Sequence, residues 1–480
     1  MTTLKRALAS LNARLSRHAL AAGLIFALPL SALTWAYNLF IGPLYNLNDI
    51  GTWRLRLLFV TLSAAAHFAL LAATALLYHD NAARLALRQL TVTAGFVILL
   101  LGINQKTYLY AQTVRPLIRA AQEGGLAALT GMKTNLSVPA LTLLCAATGG
   151  PIYDMYLAKL LAIFCDVLLA LCAARAADEL GLGLRAEAAL ALCLILPQGF
   201  MNAACCATID HAAALALAVS LALCAGVVGK RPRPLAGMLL WGLALALSGA
   251  ALYALPVYAL LSRRCGVKGG HLAAGVALAL CCCLPAILAG MPAGEALFSL
   301  LRANVGLPDF AAGAPGLHSL FPRAAVEEMP GWALLSKLPS LDFETNATEY
   351  YTQAHLQIAM RGLSMLGLAL LLGAWALALR GRGMSALRRA LALTLATLFV
   401  CPGVTSGAWL AADMLCVLAL LKEPELRVSA CLSLFATAGT SVLPLTGEAL
   451  LPAAAALGLE LLALLTLLDV IPLGKEARRG

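Results

Sequence analysis

Apolar runs of roughly 17 residues or more recur from one end of this chain to the other, each nearly free of charge. The runs are continuous, without the apolar–polar alternation of a transmembrane barrel, so the spanning element they allow is the helix. With 61% of 480 residues hydrophobic, 12% charged and a mean hydropathy of +0.87, little polar surface remains for a soluble domain. The sequence therefore reads as an all-α polytopic membrane protein. Its formal net charge of +11 comes from Lys and Arg in short turns between apolar runs, the pattern of cytoplasmic loops and not of a nucleic-acid face. All fourteen cysteines lie in or at the edge of apolar segments without a CxxC pair, as small buried residues do. Lys5, Arg6, Arg14 and Arg17 precede an apolar run over 19–41 that is too long for a signal-peptide core and lacks a clear small-x-small site. That run is read as an uncleaved first span.

Basic clusters set the sidedness: Lys5 to Arg17, Arg84 to Arg88, Lys230 to Arg233, Arg263 to Lys268, Arg380 to Arg389, Lys422 to Arg427 and Lys475 to Arg479. Placing all of them in the cytoplasm, with both termini, predicts a multi-pass protein of the plasma (inner) membrane. Spans near 19–41, 55–78 and 86–104 then leave the polar stretch Asn104 to Pro139 outside. Within it, apolar Val114, Leu117, Ile118, Ala121 and Leu129 against displaced Arg115, Arg119 and Glu123 predict a helix lying in the interface. Four apolar segments (136–149, 156–177, 186–204 and 208–228) follow before the next basic turn, and an odd number must cross. The shortest, Leu136 to Gly149, rises only about 21 Å against a core of about 30 Å, so it is expected to dip rather than cross. This places the turn with Asn202 and Asp210 outside.

The stretch Leu235 to Leu261 is trapped between two basic turns and is expected to rise and return as two half-helices meeting near Ser248 and Gly249. After a span near 271–290, Met291 to Met360 forms a second outer segment, with six prolines and, between Asp309 and Glu349, six acidic residues. Spans near 362–380, 390–402, 409–421, 428–444 and 449–472 return the C-terminus inside. The organisation predicted is 1–104 N-terminal spans, 105–149 first outer loop with the interfacial helix and dipping segment, 150–290 core spans, 291–361 second outer loop and 362–480 C-terminal spans. That makes about 12 to 14 transmembrane helices. No internal repeat is visible, which counts against a secondary transporter.

Ionisable residues inside apolar runs are costly unless they face a bundle interior or a wet cavity. Lys159, Asp166, Asp210 with His211, Asp413 and His67 are of this kind. Lys159 and Asp166 lie two turns apart on one helix face and are expected to find separate packing partners; His67 is expected to be a packing residue. Asp210, on a turn over the expected outer cavity, is the strongest functional candidate.

The blocks QEGGLAALTGMKTNLSVP, YLAKLLAIFCDVLLA, LPQGFMNAACCATID, RPLAGMLLWGLALALSGAALYALP, LPAILAGMP and PGVTSGAWLAADML, spread over about 105–425, resemble the integral-membrane glycosyltransferases of the GT-C class. The similarity is to a bacterial branch like the GPI mannosyltransferase II family. The resemblance implies a GT-C-like helical bundle with two large extracytoplasmic loops. It implies transfer of mannose or another hexose from a polyprenyl-phosphate donor to an outer-face acceptor, a glycan or membrane protein. It also implies an acidic residue of the first loop acting as base or contacting a divalent metal ion, and basic residues holding the lipid phosphate.

Several positions depart from the family pattern. Its acidic first-loop residue falls on Tyr108. Of its Asn-Tyr-x-Pro-Pro block the chain keeps Asn135 and Pro139, and of its Asn to Trp-x-Gln-x-Asp block it keeps Asn202 and Asp210. The Lys expected at the hairpin apex falls on Ser248. The His-Glu-Arg-Tyr run is replaced by Thr405, Ser406, Gly407 and Ala408, with Asp413 retained behind it. Asp210 is then the expected catalytic residue, and Asn202, Arg115, Arg119, Asn135 and Asp413 the expected substrate contacts. Losing charge-assisted phosphate contacts costs a few kcal/mol each. Three functional readings follow: a glycosyltransferase with an altered site, a non-catalytic relative that binds a lipid-linked glycan or partner enzyme, and a transporter or flippase.

Overall fold

A computed structural model describes residues 12, 15–44, 52–78, 81–105, 114–130, 136–149, 152, 154–226, 231–305, 314–320, 362, 365–379, 383–401, 404, 406–442 and 450–471. The described residues are helical, joined by turns. In chain order the helices are α1 (Ala19–Phe40), α2 (Trp53–Leu77), α3 (Ala82–Leu100), α4 (Arg115–Gly124), α5 (Val138–Thr148), α6 (Asp154–Glu179), α7 (Arg185–Ile195), α8 (Asp210–Ala225) and α9 (Pro234–Leu247). They continue as α10 (Leu255–Cys265), α11 (Gly269–Cys281), α12 (Leu284–Leu288), α13 (Ala293–Val305), α14 (Met365–Leu379), α15 (Ala386–Val400), α16 (Leu410–Lys422), α17 (Arg427–Ser441) and α18 (Ala453–Leu467).

Among the described residues, α1, α2, α3, α6 and the stretch Gly269–Leu288 are long and apolar enough to cross a membrane. A sixth span results if α7 and Pro197–Cys205, bent by 40°, are taken together. The bend falls at Pro197, which cannot donate into the preceding turn. Other apolar helices have 10–17 residues, or about 15–26 Å at 1.5 Å per residue, so they reach across a bilayer core only in combination.

One end of the bundle gathers the cationic turns. Arg84 and Arg88 of α3 bind Asp178 at the end of α6 and Glu187 at the start of α7 over 2.7–3.1 Å. Arg88, 2% exposed, also lies 3.8 Å over the Tyr78 ring. Next to this network, Lys422 Nζ donates to the Leu180 carbonyl and Arg185 to that of Leu421. Ser385 reaches Glu423, and Arg388 reaches Asp469 at 2.6 Å. Asn12 and Ser16 accept from the first amides of α3. Of the basic turns expected to share one membrane face, those around Arg84, Arg388 and Lys422 are joined here.

The opposite end is organised by Lys159. Its ammonium, fully buried, donates to the carbonyls of Gly102 and Ile103 at 3.2 and 3.0 Å and to that of Gln105. These are groups left over where α3 ends, and a cation at a helix C-terminus suits them. The expected packing role of Lys159 has this concrete form. His67 is also packed: it stacks on Phe96 at 5.0 Å, with Nε2 3.1 Å from Thr93 Oγ1.

The trapped stretch breaks at Ser248, whose backbone is extended (φ −152°, ψ 141°) between α9 and a 3-10 turn, Gly249–Ala254, that leads into α10. Trp241 holds the break by donating to the Ala251 carbonyl at 2.8 Å. Tyr258 meets the Trp241 ring edge-on, and its hydroxyl lies 2.5 Å from Ser220 Oγ. The segment expected to dip is the 11-residue α5, capped by Ser137, which also donates to the Ala246 carbonyl beside the break. The expected interfacial helix is α4, with Leu117, Ile118 and Ala121 buried.

Helices α9 and α11 touch through bare backbone. A Cβ on Gly242 would overlap the Gly275 carbonyl, and one on Gly275 the Met238 carbonyl. Close approach through small residues is how helices pack where no hydrophobic driving force separates protein from lipid. Gly242→Ala is expected to cost about 2 kcal/mol by overpacking, read as a lower thermal midpoint of the purified protein in detergent. An unchanged midpoint would show that the contact is not kept.

Candidate functional site

Four breaks in regular helix converge on Asp210. Past Pro197 the chain winds into a π-helical turn, Phe200–Cys205, and Ala207 then adopts φ +57°. A non-glycine residue there is strained, of order 1 kcal/mol, and such strain persists where the surroundings over-determine it. The Thr208 amide donates back to the Asn202 carbonyl at 3.0 Å, which turns the chain so that Asp210 opens α8.

Asp210 Oδ1 accepts from Ser248 Oγ at 2.7 Å, from the α9 break. Its Oδ2 lies against Gly407, in the 3-10 turn Ser406–Trp409, so closely that a Cβ there would overlap the carboxylate. The neighbouring Ser406 Oγ donates to Asn202 Oδ1 at 2.9 Å, and Asn202 Nδ2 donates to the Gln198 carbonyl at 2.9 Å. Next to Asp210, His211 Nδ1 lies 3.1 Å from Asp166 Oδ1, both side chains fully buried but without hydrogen-bond alignment. Asp166 also borders Gly199.

The network continues through Gln198. Its Nε2 is 2.5 Å from Thr437 Oγ1, which donates to Asp413 Oδ1 at 3.0 Å. Asn202 and Asp210, from one short block, and Asp413, far along the chain, therefore belong to one polar cluster. It draws on α6, α8, α16, α17, the α9 break and the Ser406 turn.

The remaining expected contacts lie elsewhere. Arg115 pairs with Asp154, at the start of α6, at 3.5 Å, and Arg119 is exposed on α4. Asn135 falls outside the described residues. The depth of Asp210 also differs from a turn standing clear of the bundle. Asp166, which it adjoins through His211, is about 18 Å along α6 from Asp154, counting 1.5 Å per residue. The cluster is thus level with the middle of the longest described helix.

Beside the Ala207–Ile209 turn runs a narrow apolar crevice lined by Leu144, Leu161, Cys165 and Ala212, which admits no water; Thr208 Oγ1 is buried there without a hydrogen bond. Among the described residues no group of three or more His, Cys, Asp or Glu side chains is gathered to hold a metal ion.

Sequence reading did not single out Gln198, Thr437, Ser433 or Glu460. The signal was present: Ser429, Ser433, Thr437 and Ser441 recur every four residues in α17, and Glu460 is a lone acid in an apolar run. No protein-family model, no curated protein and no solved structure matches this chain.

Two substitutions separate packing from site. Lys159→Ala strands three buried carbonyls and is expected to destabilise by on the order of 3 kcal/mol, with ligand binding at the cluster unchanged once folded. Gly407→Ala should displace Asp210 from Ser248, leaving a folded protein with binding impaired. A Gly407→Ala protein indistinguishable from wild type in thermal stability and in ligand binding would contradict this geometry.

Proposed function

We propose that this chain is a membrane glycosyltransferase of GT-C-like type, transferring a sugar from a polyprenyl-phosphate donor to an extracytoplasmic acceptor. The observation that carries the reading is the meeting of Asp210 with Ser248 and Gly407, and of Asn202 with Ser406. These come from the separate blocks in which the resemblance places its functional residues. The basic turns at one end of the bundle support a cytoplasmic face there and an opening toward the other. The same reading takes the shorter helices as parts of about 12 to 14 crossings, with two large outer loops and both termini in the cytoplasm of a plasma-membrane protein.

In this reading Asp210 is the base. Its carboxylate takes the proton of an acceptor hydroxyl as that oxygen attacks the anomeric carbon, and the polyprenyl phosphate departs with the bonding electrons. Ser248 holds one carboxylate oxygen in place, and the bare Gly407 backbone leaves room for the other. Asn202, buried and held by Ser406 and Gln198, fixes the turn that carries Gly407 beside Asp210.

A second reading rests on a specific observation. The positions where the resemblance expects Lys and His-Glu-Arg-Tyr hold Ser248 and Thr405 to Ala408, and the hydroxyl and backbone there already engage Asp210. A relative that binds a lipid-linked glycan or a partner enzyme without turnover would tolerate such neutral residues.

The deciding experiment incubates purified protein in nanodiscs with radiolabelled polyprenyl-phosphate mannose and, separately, glucose. Released polyprenyl phosphate above an empty-disc control, reduced roughly 10²–10⁴-fold by Asp210→Asn, is the expected result. Retention of the lipid without release would favour the binding relative. If neither occurs, both are wrong, and substrate flux in liposomes becomes the measurement.

A further inference from the structure

From His211 to Gly294 the chain contains no Asp or Glu, yet it carries six Lys and Arg residues. They fall in two places: Lys230, Arg231 and Arg233 between α8 and α9, and Arg263, Arg264 and Lys268 where α10 ends and α11 is about to begin. The other basic turns have carboxylates to answer them, Asp178 and Glu187 for Arg84 and Arg88, and Asp469 for Arg388. Among the described residues, Arg231, Arg233 and Lys268 are exposed and form no ion pair.

The fold brings the two places to one corner. Ser220 of α8 donates to the Gly237 carbonyl and meets the Tyr258 hydroxyl, so α10 descends from the Ser248 break toward the start of α9. The Arg233 amide donates to the Leu223 carbonyl at 2.9 Å, which fastens the first turn to the end of α8. Gly275, six residues into α11, sits against Met238 and Gly242, four and eight residues past Pro234. Helices α9 and α11 therefore start side by side at one level. Both aim the positive end of the helix dipole at the corner. At α11 the opening residues are Gly269 and Gly270, both exposed, where an added Cβ would meet nothing within 4 Å. An anion can thus approach the leftover amides of that helix start.

An independent feature lies directly along the same helices. Leu272, Val276 and Leu280, four residues apart on α11, are 37%, 39% and 42% exposed, and Leu235 on α9 is 51% exposed. Of the long apolar helices among the described residues, Gly269–Leu288 is the least enclosed by protein. The corner thus joins an uncompensated cationic cap to an open apolar stripe that begins one turn below it.

Charge and stripe select different parts of one molecule. Unpaired Arg and Lys beside exposed helix N-termini favour a phosphate, and a zwitterionic headgroup answers them poorly because it brings its own cation. A free phosphate or a nucleic acid would leave the apolar stripe unused. We infer that this corner binds an anionic phospholipid, its phosphate among Arg231, Arg233, Lys268 and the start of α11, and its acyl chains along Leu272, Val276 and Leu280. Because α9 leads to the Ser248 break and α11 packs on α9, the bound lipid braces the segment that meets Asp210. The site rests on this surface alone, whether or not the glycosyltransferase reading holds.

The test is native mass spectrometry of the full-length protein in detergent, given equimolar phosphatidylglycerol and phosphatidylcholine with the same acyl chains. Preferential retention of phosphatidylglycerol is expected, falling by about fivefold for each charge removed in Arg231→Gln, Arg233→Gln and Lys268→Gln, singly and together. Arg119→Gln, an exposed arginine on α4, should leave the preference unchanged, and raising the ammonium acetate concentration should weaken it. Should the triple variant not stay monodisperse, the single variants carry the measurement. The inference is overturned by equal retention of the two lipids, by a preference that the three variants keep in full, or by a loss as large in Arg119→Gln as in the corner variants. Displacement of the lipid by inorganic phosphate at equal concentration would also overturn it, since the acyl chains would then contribute nothing.

Discussion

A helix that stops inside an apolar body leaves backbone donors and acceptors that water cannot reach, and this fold is arranged around where those ends are put. The chain breaks at Pro197, at Ala207, at Ser248 and before Trp409. Each break needs polar partners, and the partners each needs are best supplied by the other breaks. Ser248 meets Asp210, Ser406 meets Asn202, and Asn202 turns back on Gln198. Mutual satisfaction draws the broken segments to one place, level with the middle of α6.

The rest of the bundle keeps the place fixed. At one end, Arg84 and Arg88 tie α3 to α6 and α7 through shared carboxylates. Arg88 is the buried member of this network, and stripping it of its carboxylates would leave an uncompensated charge at a typical cost of about 3–5 kcal/mol. At the other end, Lys159 closes α3. Helix α16 is common to both halves: Leu410, Met414 and Val417 pack in the core that α3, α6 and α7 share, while Ala412, Cys416 and Ala419 pack against α15. Asp413 sits among these residues, turned to α17. The two carboxylate sites are thus neighbours along one polar path, yet they are built differently. Asp210 is partly buried against backbone and a hydroxyl, whereas Asp413 and Glu460 are closed within three helices.

Much of this was legible in the residues. The break at Ser248 followed from a stretch too short to cross twice and bounded by basic turns at both ends. The amphipathic α4 followed from Leu117, Ile118 and Ala121 standing at helical spacing. Lys159 was read as a packing residue because a lone cation two turns from Asp166 has little else to do in a bundle, and its carbonyl partners bear that out. The pairing of Asp166 with His211, the contact of Gly407 with Asp210 and the route from Asn202 to Asp413 were not legible. Each joins residues from helices whose order along the chain says nothing about their angles. The pairing of Arg115, expected as a substrate contact, with Asp154 was not legible either.

By itself the sequence determined that this protein is helical, apolar enough to belong in a membrane, basic at its turns and interrupted at a few points. These are properties of composition and of periods along one chain, set by the cost of exposing polar backbone to lipid. The tertiary structure alone decided which interruptions meet and at what depth, and which carboxylates find a hydroxyl and which keep a bare oxygen. Those depend on helix crossing and rotation, where one turn of register moves a side chain from one neighbour to another. The meeting of Asp210 with Ser248 and the separate partners of Asp413 and Glu460 both arise at that level.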